Sequence, residues 1–442
     1  MKLRLSPTRL IALGFLLTIL VGALLLLLPV SSKLPSVSFT EALFTATSAT
    51  CVTGLIVVDT FTTWTGFGQA VILLLIQIGG LGLMTVITLF SFALGKRLGL
   101  YNRIVLMQSA GNMTLSGIGS LIRRIIPFAF VIEGLGAVLL SLRFIPEFGW
   151  GKGLWFSLFH SVSAFCNAGF DLMGGRSPFS SMTHYLTDPL VTLTLSMLII
   201  TGGLGFLVWR DVRNCGLRFS KYQLHTKLVL SVTAVLLLGG WLLFLLFEWN
   251  TSMEGLTVGQ KLLAAFFQSV TTRTAGFNTL DLTKLSESGN LLSNVLMLIG
   301  GSPGSTAGGI KTTTVGVLLL STLTSARGRR RDNVFRYSLD RDMLRQASAI
   351  LMIYLSMAIC AILALCALDP IPLKDGMFEV NSAIATVGLT LGHTPNLSTP
   401  ARYLLMLLMY VGRLGGLSFT LIFAQKRPEP PIDRPTGKLL IG

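Results

Sequence analysis

Eight long apolar runs follow one another along this chain. They lie at about residues 10–30, 69–94, 125–142, 189–208, 228–247, 291–323, 347–368 and 403–424. Most are close to the ~20 residues that a helix needs to cross a bilayer. Charged residues make up 12% of the 442 residues, well below the ~25% of soluble domains. The sequence therefore predicts an all-α polytopic membrane protein with eight transmembrane helices.

The basic residues are concentrated on one side of these runs. That side receives 24 of the 35 Lys and Arg, in the N-terminus, the tail and the loops near Arg103, Arg213 and Arg331. Cytoplasmic loops are enriched in Lys and Arg, so both termini are predicted to be cytoplasmic. Because topology accounts for much of the net charge of +16, nucleic-acid binding is not expected.

Four shorter apolar segments, each about 12 residues long, alternate with pairs of long runs. They are residues 39–50, 154–165, 260–271 and 373–385, and they end in the related strings TCVTGL, FCNAGF, TRTAGF and ATVGLT. Twelve residues suit a re-entrant half-helix better than a span. The string glycines Gly54, Gly169, Gly276 and Gly388 are 115, 107 and 112 residues apart. This spacing indicates a fourfold internal repeat.

A second glycine marker follows each string, at Gly79-Gly80, Gly202-Gly203, Gly300-Gly301 and Gly415-Gly416. The predicted architecture is four M1–P-loop–M2 repeats, at residues 1–105, 106–215, 216–335 and 336–425, with a cytoplasmic tail at 426–442. Irregular backbone at membrane depth is tolerated only where protein buries it or water lines it. Four half-helix ends that converge on a pseudo-fourfold axis meet this requirement and form a central pore.

The glycine strings have the features of a monovalent-cation filter. A half-helix that enters from outside directs its partly negative C-terminal end into the membrane. Glycine then permits a turn that directs carbonyls toward the axis, where carbonyl rings replace the hydration shell of K⁺. The predicted filter residues are Cys51, Val52, Thr53, Gly54, Cys166, Asn167, Ala168, Gly169, Arg273, Thr274, Ala275, Gly276, Ala385, Thr386, Val387 and Gly388.

The third repeat carries an interruption after its second marker, GGSPGSTAGGIKTTT at residues 300–314. Proline and several glycines disfavour a helix, so an intramembrane loop is predicted beneath the filter. Its gate candidates are Gly300, Gly301, Ser302, Pro303, Gly304, Ser305, Thr306, Ala307, Gly308, Gly309 and Lys311. A phosphate-binding P-loop is excluded because Ile310 displaces Lys311 by one residue and no strand precedes the segment.

Lys311 and Arg413 are the two basic residues within predicted spans. A charge at the bilayer centre costs at least about 2.5–3.5 kcal/mol on insertion scales. Snorkelling or pairing with carbonyls remains an alternative to a gating role, more so for Lys311 than for Arg413. The scattered histidines, including His160 and His393 near the strings, are expected to have packing or surface roles.

The repeated strings also carry a family resemblance. SATCVTGL, FHSVSAFCNAGFDL, SVTTRTAGFNTLDL, GGSPGSTAGGIKTTT and YVGRLGGLSF resemble the Trk/Ktr/HKT superfamily of potassium transporters, and most closely its KtrB subunits, over about residues 8–442. The resemblance implies passive K⁺ permeation, a gate at residues 300–314, and Arg413 as a cation barrier. Gly54 stands where some HKT members have serine, which supports K⁺ over Na⁺.

The resemblance also implies partners and location. It implies a homodimer in the bacterial inner membrane, docked on a cytosolic, nucleotide-binding, KtrA-like regulatory ring. The permeant ion would be K⁺, with Na⁺ as a candidate activator and no organic cofactor in this chain. The apolar end of the tail, LLIG at residues 439–442, is expected to pack on another subunit.

A coupled carrier and a membrane enzyme are the alternatives to a pore. A cation-coupled secondary carrier, such as a K⁺ symporter with Na⁺ or H⁺, would use intramembrane acidic or histidine relays and often inverted repeats. Here the repeats run parallel, and Glu133 is the one acidic residue predicted deep in a span. A membrane enzyme is disfavoured because the sequence has no paired carboxylates, metal-spaced His and Cys, or nucleophile with a base.

Overall fold

The computed structural model describes residues 7–82, 118–216, 218–328, 333–335 and 337–415. Its α-helices, numbered in chain order, are α1 Pro7–Leu26, α2 Phe39–Cys51, α3 Thr60–Thr63, α4 Gly66–Leu81, α5 Ile118–Phe148, α6 Trp150–Phe165, α7 Pro189–Leu204, α8 Phe206–Cys215, α9 Leu224–Glu248, α10 Val258–Thr271, α11 Glu287–Leu298, α12 Thr312–Ala326, α13 Arg341–Leu368, α14 Leu373–Ile384 and α15 Thr399–Leu414. Short 3-10 helices lie at Pro29–Ser31, Met173–Gly175, Thr183–Tyr185, Phe219–Lys221, Leu282–Lys284 and Thr394–Asn396. One small antiparallel hairpin pairs β1 Asn333–Val334 with β2 Tyr337–Ser338. The predicted all-α class is confirmed.

The described part of the chain contains four helices that are long and apolar enough to cross a membrane. They are α1, α5, α9 and α13, and the bent pair α7–α8 makes a fifth if it is counted as one span. The helices α4 and α12 are apolar but shorter. The predicted spans at 69–94 and 403–424 extend into residues 83–94 and 416–424, outside the described residues. The count of eight spans therefore stays a prediction.

Each predicted half-helix is helical in the structure. They correspond to α2, α6, α10 and α14, which are 13, 16, 14 and 12 residues long. The α2 helix begins at a capping box, in which the Ser38 hydroxyl accepts from the Glu41 amide at 3.2 Å and the Glu41 carboxylate accepts from the Ser38 amide at 2.9 Å. Reciprocal caps satisfy amides that a helix start leaves unpaired. The half-helices lie between the longer helices, against which they pack.

Polarity is inverted relative to a soluble protein. Long-helix side chains such as Leu17, Val235 and Leu363 are 64%, 70% and 67% exposed, as expected where lipid is the solvent. The interior instead contains small polar residues, among them Thr45 and Ser48 on α2. The half-helices and strings are thus enclosed by protein.

The second helix of a repeat ends at a glycine in three of the four repeats. Gly82, Gly205 and Gly415 follow α4, α7 and α15 with φ of +84°, +92° and +85°. Such a conformation is readily reached only by glycine. At Gly205 the chain turns by 95° into α8. The sequence predicted an interruption only in the third repeat, because an isolated glycine in an apolar run does not reveal a break.

In the fourth repeat the second glycine marker is Gly412, three residues before the predicted Gly415. A Cβ on Gly79, Gly202 or Gly412 would collide with the last carbonyls of the half-helix in the same repeat, those of Thr50, Phe165 and Ile384. Gly412 therefore occupies the position predicted for Gly415, and Arg413 aligns with Gly80 and Gly203. Several residues named in the predictions lie outside the described residues. They are Gly416, which completes the predicted fourth marker, the tail at 426–442, and basic residues that include Arg103 and Arg331.

Candidate functional site

The four strings share an unusual backbone. The residues two positions before the string glycines, Val52, Asn167, Thr274 and Thr386, have φ between +53° and +71°, and the string glycines have φ between +69° and +94°. A positive φ is uncommon for a residue with a side chain, and such strain is concentrated at functional sites. Its recurrence at matching positions indicates that all four strings adopt one local conformation.

The strings meet one another in a closed cycle. A Cβ built on the glycine of each string would meet a backbone oxygen of the next: Gly54 against Ala168 at 2.5 Å, Gly169 against Ala275 at 2.8 Å, Gly276 against Val387 at 2.5 Å, and Gly388 against Thr53. Four segments separated by more than 100 residues along the chain thus surround a common axis. No side chain fits at these glycines, so backbone groups form this ring.

A serine behind three of the strings holds them in place. Ser48 and Ser382 each accept, through the hydroxyl, the amide of the string glycine at 3.0 Å, and Ser163 donates its hydroxyl to the Phe170 carbonyl at 2.8 Å. The carbonyl of each serine also accepts the amide of the residue just before the string glycine, which is Thr53, Ala168 or Val387. Sequence reasoning missed these residues, although the pattern S-A-x-x-x-x-G recurs at 48–54, 163–169 and 382–388.

With the strings as the predicted cation filter, Ser382→Ala should weaken cation binding in the ring. The change removes one hydrogen bond and leaves the buried Gly388 amide unpaired, which costs about 1 kcal/mol, or about fivefold in affinity. The KM for K⁺ uptake into proteoliposomes measures the effect. Thr322→Ala is the control, because that exposed hydroxyl bonds only its own helix, at Leu318. An unchanged KM in Ser382→Ala would contradict this role for the serine.

The third string differs from the others. Val270 replaces the serine, and Arg273 occupies the position of Cys51, Cys166 and Ala385 with 8% of its surface exposed. The Thr274 hydroxyl donates to the Arg273 carbonyl at 2.6 Å. A cation at the C-terminal end of α10 offsets the negative end of that helix. The field around the ring is therefore unequal, with the weakest negative contribution on the third side.

The interruption in the third repeat is an irregular loop closed at its base. After α11 ends at Leu298, the Gly300 amide donates to the Ile310 carbonyl at 2.9 Å and the Ile310 amide donates to the Leu298 carbonyl at 3.1 Å. The α12 helix then begins at Thr312. The last three residues of the predicted segment, 312–314, are therefore helical, and the irregular part is Ile299–Lys311.

This intramembrane loop is hydrogen-bonded to the break in the second repeat. The Ser302 amide donates to the Gly203 carbonyl at 3.0 Å, and the Phe206 amide donates to the Gly304 carbonyl at 3.0 Å. The Thr306 hydroxyl also donates to the Phe165 carbonyl, at the end of α6, at 3.2 Å. The bends at Gly205 and in the loop thus satisfy each other's backbone groups, as irregular structure at membrane depth requires.

The same loop lies directly beside the fourth string. A Cβ on Gly308 would stand 3.1 Å from the Thr386 Cβ, and one on Gly309 would stand 3.4 Å from the Ala385 carbonyl oxygen. The Thr386 hydroxyl is buried and has no hydrogen-bond partner within the described residues. The loop therefore closely approaches the end of the ring at which Ala385 and Thr386 lie.

Arg413 joins the loop to the first repeat. Its guanidinium donates to the carbonyls of Thr306 and Gly79, which lie 107 and 334 residues away in the chain. Lys311 donates its ammonium to the Ala307 carbonyl within the loop at 2.7 Å. Both cations are thus paired with carbonyls, and the structure brings both together with the other predicted gate residues.

Further polar residues hold the chain on the outer side of the ring. His160 contacts the Phe156 carbonyl at 2.7 Å through Nδ1 and accepts the Leu172 amide at 3.2 Å through Nε2. His393 pairs with Asp375 at 2.9 Å. His160 therefore positions the segment that follows the second string. In that segment, burial raises the pKa of Asp171 to about 7.

Glu379 is a buried acid that sequence reasoning missed, because it lies on a half-helix and not on a span. Its carboxylate accepts from the hydroxyls of Thr390 and Thr394 and from the Leu391 amide. These contacts tie the segment after the fourth string back to α14. The only signal in the sequence was a single acidic residue within residues 376–392, which contain no other charged residue.

Comparison with known proteins places this geometry in context. The family described as TrkH, cation transport protein, matches residues 16–434. The potassium/sodium uptake protein NtpJ of Enterococcus hirae is 44% identical over 99% of this chain and 98% of its own length. The Ktr system potassium uptake protein B of Bacillus subtilis is 41% identical over 99% and 97%. The crystal structure of the potassium transporter TrkH from Vibrio parahaemolyticus superposes with a TM-score of 0.77 at 18% identity, covering 96% of this chain and 86% of that one. This last likeness confirms the transporter fold.

Proposed function

Since this chain belongs to the TrkH family of cation transport proteins, we propose that it is the K⁺-translocating pore subunit of a bacterial uptake system. K⁺ passes down its electrochemical gradient through the ring formed by residues 51–54, 166–169, 273–276 and 385–388. The observation that carries the proposal is the closed cycle of string glycines, each in contact with a carbonyl of the next string. Carbonyl rings of this kind replace the hydration shell of a monovalent cation.

The intramembrane loop at residues 300–311 and Arg413 form the gate in this proposal. The loop approaches the inner end of the fourth string, and Arg413 holds it through Thr306. Two cations near the pathway, Lys311 and Arg413, oppose the passage of K⁺ by like-charge repulsion. Conduction then requires the loop and the Arg413 guanidinium to move aside together.

The remaining expectations complete the proposal. The protein lies in the inner membrane as a multi-pass homodimer with both termini in the cytoplasm, and a nucleotide-binding ring of KtrA-like subunits controls the gate. The "Ktr system" in the name of the Bacillus subtilis relative supports a separate partner subunit. K⁺ is the permeant ion, and Na⁺ is a candidate activator. The four-repeat division ends at residues 105, 215, 335 and 425.

A flux assay separates this proposal from a coupled carrier. Proteoliposomes containing the protein should take up K⁺ when the K⁺ gradient is the only gradient present, and growth of a K⁺-uptake-deficient bacterium at low K⁺ should be restored. A pore needs no second ion to move K⁺. Protein-free vesicles and an empty vector are the controls. Uptake that appears only with an imposed Na⁺ or H⁺ gradient would favour the carrier and contradict the proposal.

A further inference from the structure

Glu133 is an acidic side chain in the middle of the spanning helix α5. Only 2% of its surface is exposed. An ionisable residue at this depth is costly to place in a membrane and is commonly functional. Neither the ring backbone nor the intramembrane loop accounts for its presence.

The Glu133 carboxyl group is bonded by a side chain from the first repeat. Gln77 Nε2 on α4 donates to Glu133 Oε1 at 3.0 Å and to Oε2 at 3.2 Å. One amide nitrogen thus lies within hydrogen-bond distance of both carboxyl oxygens. An ionised carboxylate can accept at either oxygen.

The same group lies directly behind the second string. The Cys166 thiol is 3.7 Å from Gln77 Oε1 and 4.0 Å from Glu133 Oε1, and Cys166 is fully buried. The Ser161 hydroxyl on α6 donates to the Glu133 carbonyl at 2.6 Å. Glu133 is therefore fixed to the half-helix α6 through Ser161, and to Cys166, the first predicted filter residue of the second string, through Gln77.

The surroundings make a charge at this site effective. Interactions between charges are strengthened in a medium of low dielectric constant, and the Glu133 carboxylate is enclosed by protein. A cation in the ring would be the counter-charge that offsets its burial. Its negative charge would also contrast with the third side of the ring, where Arg273 lies.

We propose that Glu133 is an ionised positioning residue that, with Gln77, raises the K⁺ affinity of the ring from behind the second string. The carboxylate touches neither the ring backbone nor the permeant ion. It acts through its charge and through its hold on Cys166. This inference rests on the proposed function of the ring as a K⁺ filter.

The test compares Glu133→Gln with Glu133→Asp in the full-length protein reconstituted in proteoliposomes. Glu133→Gln keeps a hydrogen-bonding side chain of the same size and removes the charge, so the KM for K⁺ should rise at least about fivefold with the maximal rate within about twofold. Glu133→Asp keeps the charge and should have a KM within about twofold of the original. Ser141→Ala, two turns further along α5 with its hydroxyl bonded only to Val138 of the same helix, is the matched control.

Three results would overturn the inference. An unchanged KM in Glu133→Gln would show that no charge acts on the ring, an equal defect in Glu133→Asp would indicate packing, and a fall in maximal rate alone would indicate a structural role. If Glu133→Gln does not fold, Gln77→Leu carries the test, since loss of the amide bridge should also raise the KM. Gly169→Ser, measured in parallel, separates the two proposals: if it changes ion preference while Glu133→Gln leaves the KM for K⁺ unchanged, only this inference fails.

Discussion

Replacing Gly276 by serine is expected to lower the preference for K⁺ over Na⁺ by at least about tenfold. Gly276 has a φ of +82°, and a Cβ there would stand 2.5 Å from the Val387 carbonyl oxygen and 3.3 Å from the Gly388 Cα. The ring must widen or a carbonyl must rotate, and either change removes the match to K⁺. A tenfold loss corresponds to about 1.4 kcal/mol of differential binding, a small fraction of the cost of such a clash. Reversal potentials or competitive uptake with the two ions measure the preference.

Gly259→Ser is the matched control for this substitution. Gly259 lies near the start of α10, the half-helix that leads to the same string, and no atom lies within 4 Å of a Cβ built there. Its K⁺ preference should equal that of the unsubstituted protein. If Gly276→Ser folds and retains its preference for K⁺, the backbone ring does not select the ion.

Replacing Arg413 by alanine is expected to raise the K⁺ flux of the reconstituted subunit, without any partner protein, by about tenfold. Arg413 joins the intramembrane loop to the first repeat, because its guanidinium donates to the carbonyls of Thr306 and Gly79. Its removal frees the loop and eliminates a charge that repels K⁺. A tenfold change requires only about 1.4 kcal/mol off the barrier. The rate of K⁺ uptake at a fixed gradient measures the effect.

Two further variants test whether the gain comes from this site. Arg402→Ala removes an arginine from the outer part of the same helix, where it donates to the Pro395 carbonyl at 2.8 Å, and should leave the flux unchanged. Arg413→Lys keeps the charge but cannot bond two carbonyls in a fixed fork, so its flux should lie between the two extremes. A decrease in flux in Arg413→Ala would exclude a barrier role for this residue.

The half-helices and strings could be predicted because their signals are local. A run of 12 apolar residues cannot span a bilayer, and a glycine directly after it indicates a turn. The predicted segments therefore agree with α2, α6, α10 and α14 to within a few residues. The even spacing of Gly54, Gly169, Gly276 and Gly388 then indicated that the four turns form one site.

Other features depend on partners that are distant in the chain. The break at Gly205 is stabilised by the Gly304 and Ser302 backbone, about 100 residues later, so the α7 sequence alone reads as an uninterrupted span. The contacts of Arg413 with Thr306 and Gly79 likewise arise only once the four repeats have packed together. The predicted fourth marker is wrong because GRLGG offers both Gly412 and the pair Gly415-Gly416, and only packing against Ile384 decides between them.

One part of the site, the serine behind each of three strings, has a sequence pattern that could have predicted it. Ser48, Ser163 and Ser382 precede their string glycines by six residues each, a recurrence as regular as that of the glycines themselves. Glu379 was not predicted because it lies on the half-helix α14, and a buried acid was expected only in a spanning helix. In both cases the residue bonds the backbone around a string, and hydrogen bonds to backbone leave a weaker trace in composition than apolar periodicity does.

The central claim is that the four strings bind permeant ions on a shared axis through backbone carbonyls. A crystal of the protein grown with Rb⁺ in place of K⁺ tests it through the anomalous scattering of Rb⁺. The account predicts anomalous peaks on the axis, within coordination distance of carbonyl oxygens from all four strings, at the level of Thr53, Ala168, Ala275 and Val387. An axis without Rb⁺, with the ion bound instead between side chains elsewhere in the membrane region, would contradict it.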